Sequence, residues 1–496
     1  MRGRDTLRNM FGLDWRSLAL MRMGLAVTIL ADLAVSSRSL RAFYSDEGVL
    51  PVKLVRENFA PDLSLYLWHG SAAWAAVLFC IEAVLAVMML AGYRTKLATI
   101  GGWVMLLCRQ ARNPMILFGA DMTEHIAMFW AVLLPLNRRY SLDAYLGRVR
   151  PPEGTCYLSM TSFGAVLQYM VIYIVSGILK SGPTWHVEHS AVYYALSIQM
   201  YARPLGQWLN QHDTLTAWLT VATLYLELYG TVLFILPFVR GWGRLLGCAI
   251  FGGLQIAFGA TMQMGLFWVA MDSFLLMLLP AEFWTWLAEP AGRWLAKKTG
   301  WETSGPPPNA GPPTPRPELP RWRKYPNVAG KILGNLAMAG IIVYMLLINY
   351  DTIPGHAAVI SNEWRRPATD TGLEQYFNMF APDPQTEDGW FLLRGTLRNG
   401  DMVDLRTGQP ASFDEPASIA DSMGDQRWCS YFLDIIYEDS AGYRPYYAEY
   451  LERNWDNTHP LGQQLARVEI IYMRALHGPN HTFAGPQPIV LWSEDF

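Results

Sequence analysis

The chain has 496 residues, of which 52% are hydrophobic and only 16% are charged. A soluble protein usually carries about 25% charged residues, so this chain has too few polar groups to cover a water-facing surface, and we predict an integral membrane protein. Its net charge of -3 argues against a nucleic-acid-binding protein, and its five cysteines show no spacing typical of a disulfide framework or a zinc site.

Apolar runs follow one another along the first two thirds of the chain. The N-terminus is basic, but no small-residue cleavage site follows the first run, so we expect a retained helix and not a signal peptide. A helix needs about 20 mostly apolar residues to cross a bilayer. The runs predict about nine transmembrane helices, at 17–36, 72–92, 96–112, 122–137, 162–180, 215–238, 242–261, 263–281 and 328–349. The run at 263–281 is also consistent with a partly re-entrant segment.

Lysine and arginine indicate the orientation, because short cytoplasmic loops retain them. With the N-terminus inside, every inner connection is basic, through Arg94, Lys96, Arg138, Arg139, Arg148, Arg150, Arg240 and Arg244, and then through Lys297, Lys298, Arg316, Arg321, Arg323 and Lys324 before the last span. The outer connection at 37–70 offsets its basic residues with acidic ones. An odd number of spans then predicts that the C-terminus lies outside the cytoplasm.

Four regions follow from these patterns. We predict a transmembrane bundle at 1–290, a Pro-rich cytoplasmic linker at 291–327, a final transmembrane helix at 328–350 and a soluble extracytoplasmic α/β domain at 351–496. In this last domain, strands at 390–397 and 402–405 flank a hairpin turn, a helix covers 446–455, and further strands lie at 468–475 and 488–492. The predicted fold class is therefore mainly α, a polytopic helical bundle with a C-terminal α/β domain.

Ionisable residues inside the apolar runs are costly in a bilayer and usually face a bundle interior or a cavity. Asp121, Glu124 and His125 are spaced i, i+3 and i+4, so they share one helix face. Glu227 and Gln255 lie within two later spans, and Asn113 lies on the predicted outer side. Each of these residues has two interpretations, a structural partner of another buried charge or a contributor to a site.

Lys180 closes the fifth span and precedes Trp185 by five positions. Apolar surroundings disfavour the charged form of an amine, and a neutral lysine can act as a base or a nucleophile. The alternative is an ammonium group that reaches the outer membrane interface beside Trp185.

The chain resembles the HTTM family, the membrane domain shared with vitamin K-dependent gamma-carboxylase. The motifs that carry the resemblance follow the family's order, at 41–51, 92–99, 112–116, 134–143 and 176–185. The likeness covers roughly residues 12 to 285, and the tail at 375–390 is similar to tails of bacterial relatives.

The resemblance implies a reduced quinone, vitamin K hydroquinone or menaquinone, as the cofactor. In the carboxylases a lysine deprotonates the hydroquinone, oxygenation yields a strong base and an epoxide, and the family's base lysine matches Lys180. Asn113, Asp121, His125, Trp185, Glu227 and Gln255 are the expected substrate-binding residues. No metal site is indicated.

Three departures argue against carboxylation of protein glutamates. Arg138 stands where the carboxylase has a histidine, Gln255 stands where many relatives have one, and the tail is much shorter than the carboxylase's lumenal region. Two functions stay open: an enzyme that uses Lys180 as a base on a reduced quinone or a lipid-like molecule, or a non-catalytic membrane partner in the maturation or export of a secreted peptide or protein. Transport is weaker, because repeated halves are not evident.

Overall fold

The computed structural model describes residues 2–59, 64–150, 152, 154–239, 241–291, 293, 328–371, 373–479 and 481–496. The predicted Pro-rich linker at 291–327 lies almost entirely outside these residues, and so does Arg240.

The part of the chain before the linker is mostly helical. Its helices, in chain order, are α1 Arg2–Phe11, α2 Trp15–Ser37, α3 Leu40–Tyr44, α4 Val52–Asn58, α5 Ala72–Ala91, α6 Thr95–Gln110, α7 Gly119–Leu133, α8 Leu142–Tyr145, α9 Met160–Leu179, α10 Pro183–His186, α11 Ala191–Ser197, α12 Pro204–Asn210, α13 Asp213–Tyr229, α14 Trp242–Thr261 and α15 Phe267–Leu275. Two short strands, β1 Leu13–Asp14 and β2 Cys156–Tyr157, pair antiparallel. Helix α16, Val328–Tyr350, follows the linker.

Six of the described helices are long and apolar enough to cross a membrane: α2, α5, α9, α13 with its 3-10 extension to Ile235, α14 and α16. They agree with six of the predicted spans and are compatible with a multi-pass membrane protein. The span predicted at 263–281 contains Phe267–Leu278, and the chain then bends by 100° into Phe283–Ala291, as in a broken span or a re-entrant loop.

The other two predicted spans form helices that are shorter than expected. Helix α6 has 16 residues and α7 has 15, or roughly 24 and 22 Å at 1.5 Å per residue, against about 30 Å of hydrocarbon. Proline explains why α7 ends early. A residue before proline is driven out of the helical region, and Leu134, which precedes Pro135, is extended at φ -83° and ψ 151°.

The C-terminal region contains an antiparallel four-stranded sheet in the order β4-β3-β5-β6. Its strands are β3 Glu387–Leu397, β4 Met402–Asp404, β5 Leu465–His477 and β6 Phe483–Asp495. The helices around it are α17 Asn362–Asp370, α18 Ile419–Ser422, α19 Gln426–Ile436 and α20 Arg444–Asp456. The predicted hairpin, the helix at 446–455 and the two later strands are confirmed.

Helix α19 joins the C-terminal region to the bundle. It packs against the 3-10 turn Pro114–Ile116, and the rings of Trp428 and Phe43 lie 4.4 Å apart between centroids. One continuous apolar core includes Trp130 of the bundle and Ile470 of the sheet. The two regions therefore share a buried interface.

Candidate active site

Lys180 lies at the C-terminal end of α9. The helix begins with a reciprocal cap between Ser159 and Ser162, and it ends where Lys180 adopts φ -73° and ψ 61°. Gly182 and Pro183 then turn the chain into α10. The Lys180 side chain points back into the bundle, with the residue only 3% exposed.

The amine of Lys180 is paired with Glu227 of α13. Its Nζ lies 2.6 Å from Glu227 Oε2 and donates a second hydrogen bond of 2.6 Å to Ser176 Oγ. Both residues of the ion pair are buried. Because charges taken out of water need a close partner, each group depends on the other for its stability in this position.

Trp185 lies over the same amine. Its ring centroid is 5.4 Å from Lys180 Nζ, within the range of a cation–π contact. The ring is held from the other side by the C-terminal region, because Trp185 Nε1 donates to the carbonyl oxygen of Phe380 at 2.9 Å.

These groups border a cavity of about 330 Å³, here called the Lys180 cavity. Its walls are largely apolar, and its polar lining includes Lys180, Glu227 and Gln255. Gln255 Nε2 donates to Tyr173 Oη at 2.8 Å, while the Gln255 carbonyl oxygen is buried and has no hydrogen-bond partner. A small apolar molecule with a hydroxyl group fits such a lining.

A segment of the C-terminal region, residues 375–383, crosses the bundle beside this cavity; we call it the strap. Gln375 exchanges two amide hydrogen bonds with Gln168 of α9, at 2.9 and 3.0 Å. Asp383 accepts from the backbone N–H of Thr184 at 3.0 Å and from its hydroxyl. Phe377, Met379 and Phe380 of the strap line the Lys180 cavity.

The remaining predicted site residues lie elsewhere. Asp121 and His125 line a second cavity of about 790 Å³, here called the His125 cavity, which shares a wall with the first. Asn113 lines neither of these cavities: its side chain donates to Phe43 O and accepts from Met115 N, so it holds a loop. The structure thus brings together Lys180, Trp185, Glu227 and Gln255, and separates them from the other three.

Sequence reasoning missed a buried ionic cluster around Arg427 of α19. Arg427 contacts Asp121 at 2.7 Å and Asp32 at 2.8 Å, and Arg109 contacts Asp32 at 2.6 Å and Glu82 at 3.1 Å. A signal for this helix was present. Asp425 is placed to cap it, and apolar residues recur at Trp428, Tyr431, Phe432 and Ile435, the spacing of an amphipathic helix.

Within the described part of the chain, His, Cys, Asp and Glu side chains form no group arranged to hold a metal ion. The chain matches no protein-family model, and neither curated proteins nor solved structures give a significant match. The resemblance to the HTTM family therefore stays a prediction.

Proposed function

We propose that this protein is a membrane enzyme that uses Lys180 to take a proton from a hydroxyl group of a reduced quinone or a similar lipid-like substrate. The observation that carries the proposal is the buried Lys180–Glu227 pair at the wall of an apolar cavity. A purely structural ion pair needs no open space beside it, whereas a base has to reach its substrate.

Glu227 gives Lys180 a route to the neutral form. An ammonium group cannot accept a proton, so Lys180 must first lose one. The carboxylate of Glu227, 2.6 Å from Nζ, is in position to receive that proton. Lys180 then carries a lone pair that points at Glu227, and rotation about the Cε–Nζ bond turns it towards a substrate hydroxyl in the cavity. Ser176 accepts a hydrogen bond from the amine at 2.6 Å.

The cavity lining fits a hydroquinone. Lys180 and Glu227 place polar groups at one wall, where a substrate hydroxyl can bind, and the rest of the lining is largely apolar. Trp185 and Tyr173 offer flat apolar surfaces for a ring. A bound reduced quinone would supply a store of two electrons, while the residues named here bind, orient and deprotonate it.

The proposal places the protein in the cell membrane with nine crossings. Its orientation follows from the basic loops, with the N-terminus inside the cytoplasm and residues 351–496 outside it. Fusions of alkaline phosphatase and of green fluorescent protein after residue 496 test it. Phosphatase activity without fluorescence is expected, since phosphatase matures only outside the cytoplasm. Fluorescence without phosphatase activity would overturn the orientation but not the chemistry.

The deciding experiment is quinone turnover by purified protein in lipid. Reduced menaquinone or vitamin K is supplied with oxygen, with and without bicarbonate, and epoxide is measured. The matched variants are Lys180→Ala and Lys53→Ala, the latter at an exposed lysine away from the cavity. We expect epoxide from the parent and from Lys53→Ala but not from Lys180→Ala. An active, folded Lys180→Ala protein would refute the role of the lysine.

One observation favours the second function, a partner for a secreted peptide. Strand β6 lies at the edge of the sheet, its residues are mostly exposed, and an extended peptide can add to such an edge by backbone pairing. A stable co-purifying peptide that is lost on Val490→Pro, together with an unaffected function in Lys180→Ala, would favour this alternative.

A further inference from the structure

Helices α13 and α14 form one side of the Lys180 cavity, and an opening lies between them. Helix α12 contacts both of them, where α13 begins and α14 ends, and the 3-10 turn Gly230–Ile235 contacts both where α13 ends and α14 begins. Between these two places α13 and α14 make few close backbone contacts with each other. The two helices are therefore bridged at both ends and separated in the middle, which leaves an opening that we call the slot.

The residues that border the slot form one stripe on each helix. They are spaced i, i+4 and i+8 on α13 and i, i+3 and i+4 on α14, so each stripe lies on one helix face. All of them line the Lys180 cavity: Leu215, Leu219, Thr223, Leu254, Ala257 and Phe258.

The exposure of the cavity walls shows where the Lys180 cavity opens. The cavity is not enclosed, and among the described residues that line it only Leu215 and Ala257 are exposed. One lies on α13 and the other on α14. The wall on the opposite side is closed, because Tyr173, Met271 and Phe377 are buried. The mouth of the cavity is therefore the slot.

The slot lies in a part of the molecule that is apolar enough for a bilayer. Both α13, with its extension to Ile235, and α14 are long and apolar enough to cross a membrane. Trp208 of α12 and Trp218 of α13 are 52% and 70% exposed, and exposed tryptophans are enriched at the boundary between lipid and water. Leu219 and Thr223 follow Trp218 along α13, away from α12. The slot therefore begins near this boundary and continues towards the lipid tails.

The Lys180 cavity by itself has little room for a long hydrocarbon chain. Its volume of about 330 Å³ is near the lower end of the range of about 300–1,000 Å³ that is usual for small-molecule sites. A compact ring fits beside Lys180, and a chain attached to this ring has to leave the cavity. A chain that leaves through the slot passes between mostly apolar side chains and enters the lipid tails without contacting water.

We propose that the slot binds the hydrocarbon chain of the substrate, which passes between α13 and α14 and continues into the bilayer. This inference rests on the proposed function, because it requires the ring of the substrate to lie beside Lys180. It assigns the substrate to the lipid quinols that carry a long chain. Chain units beyond the slot lie in lipid and should have little influence on binding.

Photo-crosslinking locates the chain without any need for turnover. Full-length protein in lipid nanodiscs receives reduced menaquinone that carries a diazirine on its second isoprene unit, in the absence of oxygen. Labelled peptides are mapped by mass spectrometry. Only label that an excess of unlabelled reduced menaquinone removes is counted, because lipid-facing helices also react with probe in the bilayer. We expect displaceable label within residues 215–223 and 254–258.

A pair of variants tests the slot by activity. Ala257→Trp fills the slot, and Ala260→Trp is the matched change at an exposed position of α14 that does not line the cavity. In Ala257→Trp we expect kcat/KM to fall about tenfold or more for menaquinol with four isoprene units but less than about threefold for menadiol, which has no chain, because only a chain overlaps the new side chain. Ala260→Trp should leave both values unchanged.

Three results would overturn the slot as the site of the chain: no displaceable label, displaceable label outside the two ranges, or an equal loss for both quinols in a folded Ala257→Trp protein. Failure of the proposed function gives a different result, since the parent protein would then form epoxide from neither quinol. In that case, or if Ala257→Trp does not fold, the map of displaceable label decides by itself.

Discussion

Two regions of this molecule bury oppositely charged side chains, and they differ in what surrounds the charges. The Lys180–Glu227 pair borders a cavity of about 330 Å³ and has apolar neighbours. Arg427 and Arg109 are instead enclosed by carboxylates from α2, α5 and α7, and α19 closes the cluster from outside. Both regions satisfy the rule that buried charges need partners. Both border open space, since Asp121 lines the His125 cavity. Only the first region holds a lysine, whose amine can act as a base, so the chemistry of the side chain beside the cavity is a better indication of a site than the burial of charge.

The largest expected effect separates the two regions by activity. Lys180→Ala and Glu227→Gln should each lower quinone turnover by about 10²–10⁴-fold, the usual contribution of acid–base catalysis. Turnover is measured on protein that elutes as a single species, with Lys53→Ala as the control. Turnover at the parent rate in either variant would show that the Lys180–Glu227 pair is structural, as the pairs of the Arg427 cluster are.

The next effect concerns stability. Arg427→Gln should lower the free energy of unfolding by about 3–5 kcal/mol, because Asp121 loses its partner and Asp32 keeps only Arg109. The matched control is Arg467→Gln in the same domain, whose side chain is 47% exposed and whose ion pairs should contribute less than about 1 kcal/mol. Both free energies are measured by denaturant unfolding. Equal losses in the two variants would show that Arg427 contributes no more to stability than an exposed arginine does.

A pair of substitutions sharpens the comparison inside the cluster. Glu124 is buried, and neither of its carboxylate oxygens has a hydrogen-bond partner, whereas Glu82 accepts from Arg109. Glu124→Met should therefore raise the free energy of unfolding by about 1–3 kcal/mol, because it removes unsatisfied atoms. Glu82→Met should lower it, because it leaves Arg109 with one acid fewer. A lower free energy of unfolding in both variants would show that Glu124 has a stabilising role in the cluster, and a higher one in both would show that Arg109 does not need Glu82.

The strap provides a smaller effect on the Lys180 side. Asp383→Ala removes both hydrogen bonds to Thr184 and should cost about 1–2 kcal/mol of stability. It should also raise the KM for the quinone more than it lowers kcat, since Trp185 is then less firmly held over the cavity. Asp383→Asn keeps an acceptor oxygen and should restore most of the loss. If Asp383→Asn does not restore the KM, Asp383 does not position Trp185 through these hydrogen bonds.

The smallest effect is a pH dependence outside the bundle. Burial raises the pKa of Asp434 on α19, while a hydrogen bond from Ser440 opposes the rise. Since the folded state then holds the proton more tightly than the unfolded state does, stability falls as pH rises from the ordinary pKa through the raised one. In Asp434→Asn this decrease of stability with rising pH should be absent. Its Tm should be about 2 °C higher than that of the parent at neutral pH and equal to it in acid. Identical pH profiles for the two proteins would exclude it.

Much of the architecture could be predicted because it depends on local composition. Long apolar runs indicated α2, α5, α9 and α14, and the hairpin turn at 398–401 indicated β3 and β4 on either side of it. The ends of helices were less predictable. The apolar run of α7 continues to residue 137, but Pro135 forces Leu134 out of the helix, so a backbone constraint overrides the hydropathy.

Lys180 was identified from its position at the end of an apolar helix and from the family motif around it. Its partner could not be chosen from sequence, because Glu227 lies 47 positions away and several other acids were equally available. The position of His125 shows the same difficulty. Its spacing placed it on one helix face with Asp121, but not in a particular cavity.

The sequence by itself determined which segments are apolar enough for a membrane, where the polar domain begins and which ionisable residues lie within apolar runs. These properties follow from the chemistry of neighbouring residues. Only the tertiary structure decided which buried charges meet, because a pairing such as that of Arg427 with Asp32 joins positions 395 apart. It also decided which buried charges border open space, since a cavity is a property of packing between elements and leaves no signal along the chain.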